Sequence, residues 1–590
     1  MIKKLLFPVS GILFSTFIIA QNDLPKGFSV GELQDMQRMD FEPPAYSPVG
    51  ITTPPTLPVR NMAQWEEIQA LTITWRSYAS VLREIVRAAR QETTVIINCN
   101  TTNTTQYNDS TNIKNYLTAG GVPLSNIRFN AKPSDAVWIR DYGANPCYLN
   151  NVDSLILVDW KYNRPTRVND DTIPRSIARM LQIPLYETIV NPYQLVHTGG
   201  NYMTDGMNTA FSSHLILDEN STKTEAQINS IMDDFMGIDR YIKMETLPYD
   251  GIHHIDMHMK LLDEETLLVG QYPNGIADGP QIEANIQYVL SNFNSSFGTP
   301  YKVIRIPQPP DQLNGFTYPN TTGNYLTYTN ATIINKTVIV PQFYAQYDTT
   351  AIRIWKDAMP GYKIVGINSN STISASGSLH CITHSVGVQA PLRIVHQNLP
   401  NTTNTVTPYQ VDAIVQHKSG IQFATLYYTT DTANVPYTAV TMTLTNASTD
   451  TWTGFIPAQV AGTHVYYYIK GHANSGKEQV RPMPAPAGNF EFDVLGGSTE
   501  IQENETIFSQ QAFPNPSHGI TCIPTYLKET SKGSIKLYDV LGKLVSTIYE
   551  GEMPSGTKNY FINTSDMNAG AYFIVLETTT NRVSQKLMVK

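Results

Sequence analysis

Cysteine is scarce in this chain, with four among 590 residues, at positions 99, 147, 381 and 522. That excludes a disulfide-built scaffold, because bridge-stapled domains are cysteine-dense and a large core does not need bridges. A Cys99–Cys147 bridge is allowed but not dictated. Charge is also sparing: Asp, Glu, Lys and Arg make up 15% of the chain and the net charge is −9. No general nucleic-acid footprint is expected from such a balance. Beyond residue 20 no stretch supplies the ~18 uncharged apolar residues that span a bilayer, so no transmembrane segment is expected. There is no HExxH pair and no cysteine-rich ligand set, so no cofactor or metal is expected.

The length suggests about four domains. Lys3 and Lys4 precede the apolar run LLFPVSGILFSTFIIA, which closes on Ala20 before Gln21. A charged start, an apolar core and a small residue at the cut predict a signal peptide over residues 1–20 and export. Residues 21–50 show no sustained periodicity, end rich in proline and read as a leader or linker. From 51 to 395 short β-branched runs alternate with amphipathic helices. ALTITW and TTVIINC flank SVLREIVRAAR, which carries Val81, Leu82, Ile85, Val86 and Ala89 at helical spacing. EANIQYVLSNF predicts another helix and ATIINKTVIVPQF a strand pair about Asn335-Lys336. The class is α/β. Residues 396–495 change texture to short alternating or aromatic strands (YQVDAIVQH, FATLYYTTD, THVYYYIKG), which predict a β-sandwich of immunoglobulin-like size. A polar linker follows at 496–507.

The segment 508–590 opens on FPNPSHG and continues through LYDVLGK and AGAYF to Lys590. In that order these landmarks resemble the C-terminal sorting domain of cargo for the bacterial type IX secretion machinery. The resemblance implies passage across the outer membrane and a secreted or cell-surface location.

Four stretches of the α/β region are over-polar for their surroundings. In DAVWIRDYG (135–143) a strand would point Val137, Ile139 and Asp141 to one face. In HTGGNYMTDG (197–206) the paired glycines permit a simple turn, close backbone approach or positive φ. In GIHHIDMHMKLL (251–262) a strand would place His254, Asp256, His258 and Lys260 on one face, opposite Ile255, Met257, Met259 and Leu261. His254, Asp256 and His258 could then hold zinc or iron. In SASGSLHCITHSVG, Cys381 lies between His380 and His384. A thiol becomes a nucleophile as thiolate, favoured by a neighbouring cation or an oriented histidine. Paired carboxylates at Asp141 and Asp256 suit a planar guanidinium, whose fork of donors they can grip bidentately while its carbon stays electrophilic.

Taken in order, WIRDYG, NRPTRVNDD, TGGNYMTDG, HHID, YTNATIINKTVIVP and LHCITH are similar to the secreted Porphyromonas-type peptidylarginine deiminases, which group with the agmatine deiminases. The resemblance covers about 55–395 and implies a five-bladed α/β propeller, the pentein fold, followed by two all-β domains. It implies Cys381 as nucleophile and Asp141 and Asp256 as holders of the guanidinium nitrogens. His254 would protonate departing ammonia and then activate water, and Asn330 would position the substrate. Trp138 would line the channel for the aliphatic stem. Two arginines that clasp a terminal carboxylate in the family map onto Arg164 and Arg167, here with one extra residue between them. Some stretches, such as HHIDMHMKLLDEETLLVGQYP, look closer to the agmatine deiminases. Agmatine carries no carboxylate to meet Arg164, so an arginine-bearing peptide or protein is the favoured substrate over a small guanidino compound such as agmatine, whose turnover would belong to putrescine biosynthesis. The competing expectations are a non-catalytic surface binding protein and a metal hydrolase built on His254, Asp256 and His258.

Overall fold

Between residues 59 and 387 one supersecondary pattern recurs five times among the described residues: an antiparallel strand pair, a helix, and a strand parallel to the second of the pair. The structure, a computed structural model, describes residues 24–38, 47–100, 109–319, 323–495, 511–517, 519–579 and 582–590. The expected signal peptide and the 496–507 linker lie outside those residues.

In the first unit Ile68–Thr74 is followed by the helix Ala79–Ala89 and by Thr94–Cys99, parallel to it. A helix between parallel strands is what a right-handed crossover requires. The second unit uses Asn145–Leu149, Ser154–Tyr162, the helix Ile173–Leu181 and Leu185–Thr188. The third uses Met203–Thr204, Thr209–Ser213, Glu225–Met236 and Arg240–Met244. The fourth uses Met259–Leu261, Thr266–Gln271, Gly279–Asn292 and Lys302–Pro307. The fifth uses Thr332–Ile334, Thr337–Gln342, Ala345–Ala358 and Lys363–Asn368. The antiparallel partner missing from the first unit comes from the far end of the region: His384–Gly387 pairs with Ile68–Thr74, His384 opposite Thr72. This late strand holds the Cys381 loop against the first unit.

The helical spacing read from SVLREIVRAAR is realised, with Val81, Leu82, Ile85, Val86 and Ala89 all buried. Burying each of the aliphatic side chains contributes about 1.5–3 kcal/mol. The strand pair about Asn335-Lys336 forms as expected, with Asn335 at φ 49° in its turn.

Three local readings are corrected. Ile139–Tyr142 is a single α-turn, not a strand, so Val137, Ile139 and Asp141 do not share a sheet face. Ile255–Met257 is a 3-10 turn and the strand begins only at Met259, so His254, Asp256, His258 and Lys260 do not line one face. A period-2 pattern cannot by itself tell a strand from a polar turn whose side chains are called inward by other segments. The leader, thirdly, contains a helix, Val30–Met36, opened by a capping box in which Ser29 and Glu32 each bond the other's backbone N–H. It was missed because a helix this short carries too few turns to display a period.

Residues 393–493 form eight strands in one continuous ladder, closed around Val411, Leu426, Tyr467, Ile469 and Phe492. They belong to the same compact unit as the α/β region. The C-terminal residues belong to a second unit, with a two-stranded and a four-stranded antiparallel sheet around Ile535, Leu537, Ile574 and Leu587. Its strand Ser531–Asp539 ends at the turn read from YDVLGK, and Gly570–Thr578 is the strand read from AGAYF. Cys99 and Cys147 are both buried free thiols in different core clusters, so no bridge joins them.

Candidate active site

Turns, rather than strand faces, deliver the polar side chains. Asp141 sits on the α-turn Ile139–Tyr142, Gly200 on the 3-10 turn Gly199–Asn201, and Asp256 on the 3-10 turn after His254. Asn330 lies two residues before the fifth unit's first strand, and Cys381 precedes the closing strand. These five segments, from well-separated parts of the sequence, converge, and Asp141, His254, Asp256, Asn330 and Cys381 are all buried.

Asn330 ties the site together. Its Nδ2 donates to the Asp256 carbonyl at 3.2 Å and to Cys381 Sγ at 3.2 Å. Its Oδ1 accepts from the His380 N–H at 3.0 Å, which fixes the backbone of the cysteine loop. Asp141 Oδ1 accepts from the Gly200 N–H at 3.2 Å and lies 3.6 Å from His254 Nδ1. A Cβ at Gly200 would fall 2.3 Å from His254 Nδ1, and one at Gly199 would fall 2.0 Å from the Arg140 carbonyl. The paired glycines are there for close backbone approach, one of the uses their sequence allowed. Neither ring nitrogen of His254 has a hydrogen-bond partner among the described residues.

Several residues of the site had no role assigned from the sequence. His380 Nδ1 lies 2.8 Å from Asp256 Oδ2. On its other side His380 Nε2 faces Gln64 Nε2 at 2.9 Å, while Gln64 Oε1 accepts from Lys260 Nζ at 2.7 Å. Gln64 Oε1 also lies 3.2 Å from His380 Nε2. Asp256, held ionised, can only accept, so His380 carries a proton on Nδ1 and gives it to Asp256. The most unexpected member is Lys26, from the leader. It is fully buried, its Nζ 3.2 Å from Asp256 Oδ1 and 2.8 Å from Cys381 Sγ.

The residues assigned to substrate contact also meet the leader. Trp138 Nε1 donates to the Leu24 carbonyl at 2.8 Å. Arg164 Nε and Nη2 each reach the Lys26 carbonyl at 3.3 Å, and its guanidinium lies 4.4 Å from the centre of the Phe28 ring. Arg167 is buried rather than solvated. Its Nη2 donates to the Pro25 and Gly27 carbonyls at 2.8 and 2.7 Å, and its Nε donates to Glu32 at 2.8 Å. Beside this cluster Ile252, Met257 and His258 help to line a cavity of about 660 Å3.

Burial dominates the electrostatics and the charges decide its outcome. Burial alone would raise the Asp256 carboxyl, but Lys26, followed by His380, holds it well below the carboxylate range. Burial works against the Lys26 ammonium too, yet Asp256, Cys381 and Asp141 raise its pKa and keep it charged. Burial, reinforced by Lys26, depresses His254 far below its ordinary value, so its imidazole is neutral. Burial pushes the Cys381 thiol up to about 12, with Asp256 adding to the rise and Lys26 opposing it. Asp141 is raised by burial, with Lys26 the main opposing charge. The cluster is therefore a nucleophile, a neutral imidazole and two carboxyls arranged around a buried cation.

Residues 58–386 match the family model for Porphyromonas-type peptidyl-arginine deiminase.

The chain belongs to the Porphyromonas-type peptidyl-arginine deiminase family.

The deiminase has curated relatives named "Putative agmatine deiminase". One from Yersinia pseudotuberculosis is 24% identical over 297 residues, covering 44% of this chain and 77% of the relative. One from Legionella pneumophila (strain Paris) is 26% identical over 266 residues, covering 44% and 75%. A solved structure of a protein given the same name matches with a TM-score of 0.51 at 20% identity, over 58% of this chain and all of the other. That likeness shows the fold. Members of this family are hydrolases of C–N bonds in guanidino compounds, and the deiminase is such an enzyme. Residues 511–590 match the secretion-system C-terminal sorting domain, which implies type IX export to the surface or the medium. Among the described residues no helix is long and apolar enough to cross a membrane.

Proposed function

We propose that the enzyme converts arginine residues of polypeptides to citrulline and ammonia through a covalent intermediate on Cys381. The observation that carries this reading is the cation held between Cys381 Sγ and Asp256 Oδ1, at 2.8 and 3.2 Å. A buried site that stabilises a positive charge against a thiol suits a cationic side chain, and among these the guanidinium alone offers the thiol an electrophilic carbon.

With a guanidinium in that place, Asp256 and Asp141 take its N–H groups and Asn330 steadies the sulfur. The substrate's own charge lowers the raised thiol, His254 takes the thiol's proton, and the Cys381 sulfur bonds to the guanidinium carbon as a C=N electron pair moves onto nitrogen. A C–N bond breaks as His254 supplies the proton that lets nitrogen leave as ammonia. The S-alkylthiouronium that remains is attacked by water, from which His254 takes a proton. The carbon–sulfur bond breaks, leaving a ureido group on the substrate and a regenerated thiol. No step needs a redox partner. A neutral, unpartnered His254 is free to take a proton in each half of the reaction and return it.

Trp138, Arg164 and Arg167 would hold the substrate's main chain. The five repeated units would be the blades of a pentein propeller formed by residues 51–395. Residues 396–495 would be an immunoglobulin-like domain and 508–590 the sorting domain. Residues 1–20 would be a signal peptide and 21–50 a leader.

A second reading, hydrolysis of the small free guanidine agmatine, is favoured by the names of the curated relatives. One assay separates the two. Ureido product is measured on agmatine, free arginine and peptides with internal or C-terminal arginine, with wild type and Cys381→Ala. Cys381-dependent turnover of a peptide is expected. Turnover of agmatine alone would favour the second reading, and no turnover by folded protein, cleared of its leader as described below, would end both.

A further inference from the structure

The leader enters the site as a substrate would. Lysine and arginine share an aliphatic stem, and lysine's Nζ stands as many bonds from Cα as arginine's guanidinium carbon does. Lys26 therefore places an ammonium nitrogen where the electrophilic carbon of an arginine would lie, 2.8 Å from Cys381 Sγ. That is slightly closer than the ~3–3.5 Å at which a nucleophile and its target are poised to react. The ammonium offers no electrophilic carbon, so nothing follows.

The main chain on both sides of Lys26 is held. The Leu24 carbonyl accepts from Trp138 and the Lys26 N–H donates to the Ala375 carbonyl at 3.0 Å. Arg164 takes the Lys26 carbonyl, and Arg167 takes those of Pro25 and Gly27. Gly27 has little room for a side chain, since a Cβ there would lie 3.3 Å from Ile252 Cγ2. Past Phe28 the capped helix Val30–Met36 anchors the segment, with Glu32 receiving Arg167 at 2.8 and 3.0 Å and the Thr166 hydroxyl at 2.8 Å. The occupied site leaves Lys26, His254 and Cys381 without solvent exposure.

From this geometry we propose that residues 24–32 are an intramolecular substrate mimic, which holds the exported enzyme latent and marks its substrate as an arginine inside a polypeptide chain. The inference rests on the deiminase reading above and deepens it. Arg164 donates to the Lys26 carbonyl, and Arg167 divides its donors between the Pro25 and Gly27 carbonyls and the side-chain carboxylate of Glu32, all along a continuing chain, so a terminal carboxylate is not required. Tethering gives the mimic a high effective concentration that free substrate must overcome, and cutting the tether abolishes it. An endoprotease acting on the leader is therefore the class of reaction that would activate the enzyme.

The test compares the full chain with Lys26→Ala, with the double variant Lys26→Ala/Glu32→Ala, and with Lys26→Arg. Ureido product is measured on peptides with internal arginine, on peptides with C-terminal arginine and on agmatine. The double variant should exceed wild type by about tenfold or more on internal arginine, the effective-concentration advantage of the tether being lost. Lys26→Arg seats a true substrate, so peptide mapping by mass spectrometry should find citrulline at position 26, absent when Cys381→Ala is added. Equal activity of wild type and both alanine variants, with no citrulline at 26, would overturn the latency while leaving the deiminase reading intact. A double variant active on agmatine or C-terminal arginine but not on internal arginine would overturn the substrate assignment. Folded variants inactive on every substrate and free of citrulline at 26 would overturn the mimic and the deiminase reading together.

Discussion

Asp256 divides its two oxygens between two partners: Oδ2 meets His380 Nδ1 at 2.8 Å, and Oδ1 meets Lys26 Nζ at 3.2 Å. The first contact orients the carboxylate from within the fold, and the second marks the oxygen available to a substrate nitrogen. Burial, followed by Arg140 and Lys260, keeps His380 neutral by holding its pKa far below the ordinary value. It is therefore a positioning residue, aimed through Gln64 and Lys260.

Removing that support should loosen Asp256 without removing it. In a chain cleared of Lys26, His380→Ala is expected to lower kcat by about 10–100-fold, the usual cost of losing a hydrogen-bonded support behind a site group. Gln64→Ala should do less, with KM changed little. Steady-state kinetics on an internal-arginine peptide checks this. A His380→Ala loss seen only in KM would assign His380 to substrate contact instead.

Gly200 tolerates no side chain. Alanine there would place its Cβ 2.3 Å from His254 Nδ1 and 2.9 Å from Asp141 Oδ1. Gly200→Ala should therefore displace the proton shuttle by about an ångström and lower kcat by about 100-fold. Thermal melts should show a folded protein, because the crowded atoms belong to the site and not to the apolar core.

The thiol's titration can be read by alkylation in the Lys26→Ala variant. Burial places the thiol at about 12 with Lys26 present, and Lys26 is one of the influences that lower it. Without Lys26 the thiol is protonated throughout the neutral range, and its reactive thiolate grows about tenfold for each pH unit. Iodoacetamide labelling should climb from pH 7 to about 10 without a plateau. A plateau below pH 8 would show a thiolate already formed in the empty site.

The leader's anchor should weaken in acid. Burial alone would raise Glu32, but Arg167, with the Ser29 N–H and the Thr166 hydroxyl, lowers it from 4.5 to about 2 in the docked segment. A carboxyl depressed on docking favours the docked state fully above its free value. That contribution is lost as pH falls from about 4.5 through about 2. At neutral pH, Glu32→Gln should mimic the loss. Trypsin cleavage after Lys26 is expected to quicken by about tenfold, the worth of one charge-assisted hydrogen bond.

How far the site could be read in advance differs residue by residue. The apolar spacing of the 79–89 helix, the strand pair about Asn335 and the turns of the sorting domain were legible because each is a local pattern of period or turn chemistry. Asp141, His254, Asp256, Asn330 and Cys381 stood out by residue type and motif, and the fold brings all five together. The strand faces inferred for 137–141 and 254–260 were wrong, because both stretches turn within three or four residues. The partners of Arg167 were not legible, since nothing in NRPTR reveals that Glu32 and two peptide carbonyls wait for it.

The sequence by itself determined the chemistry available: one thiol among histidines, carboxyls suited to a guanidinium, an α/β body, a run of β-strands and a sorting domain. Local periodicity and residue chemistry carry that much. Only the tertiary structure decided that His380 aims Asp256, that Gly200 is a contact surface and that Lys26 fills the site. Those facts depend on contacts between distant segments, from Gly200 with Asp141 at a separation of 59 residues to Lys26 with Cys381 at 355. No window along the chain records such a distance, because it exists only once closure of the first and last strands has brought the loops together.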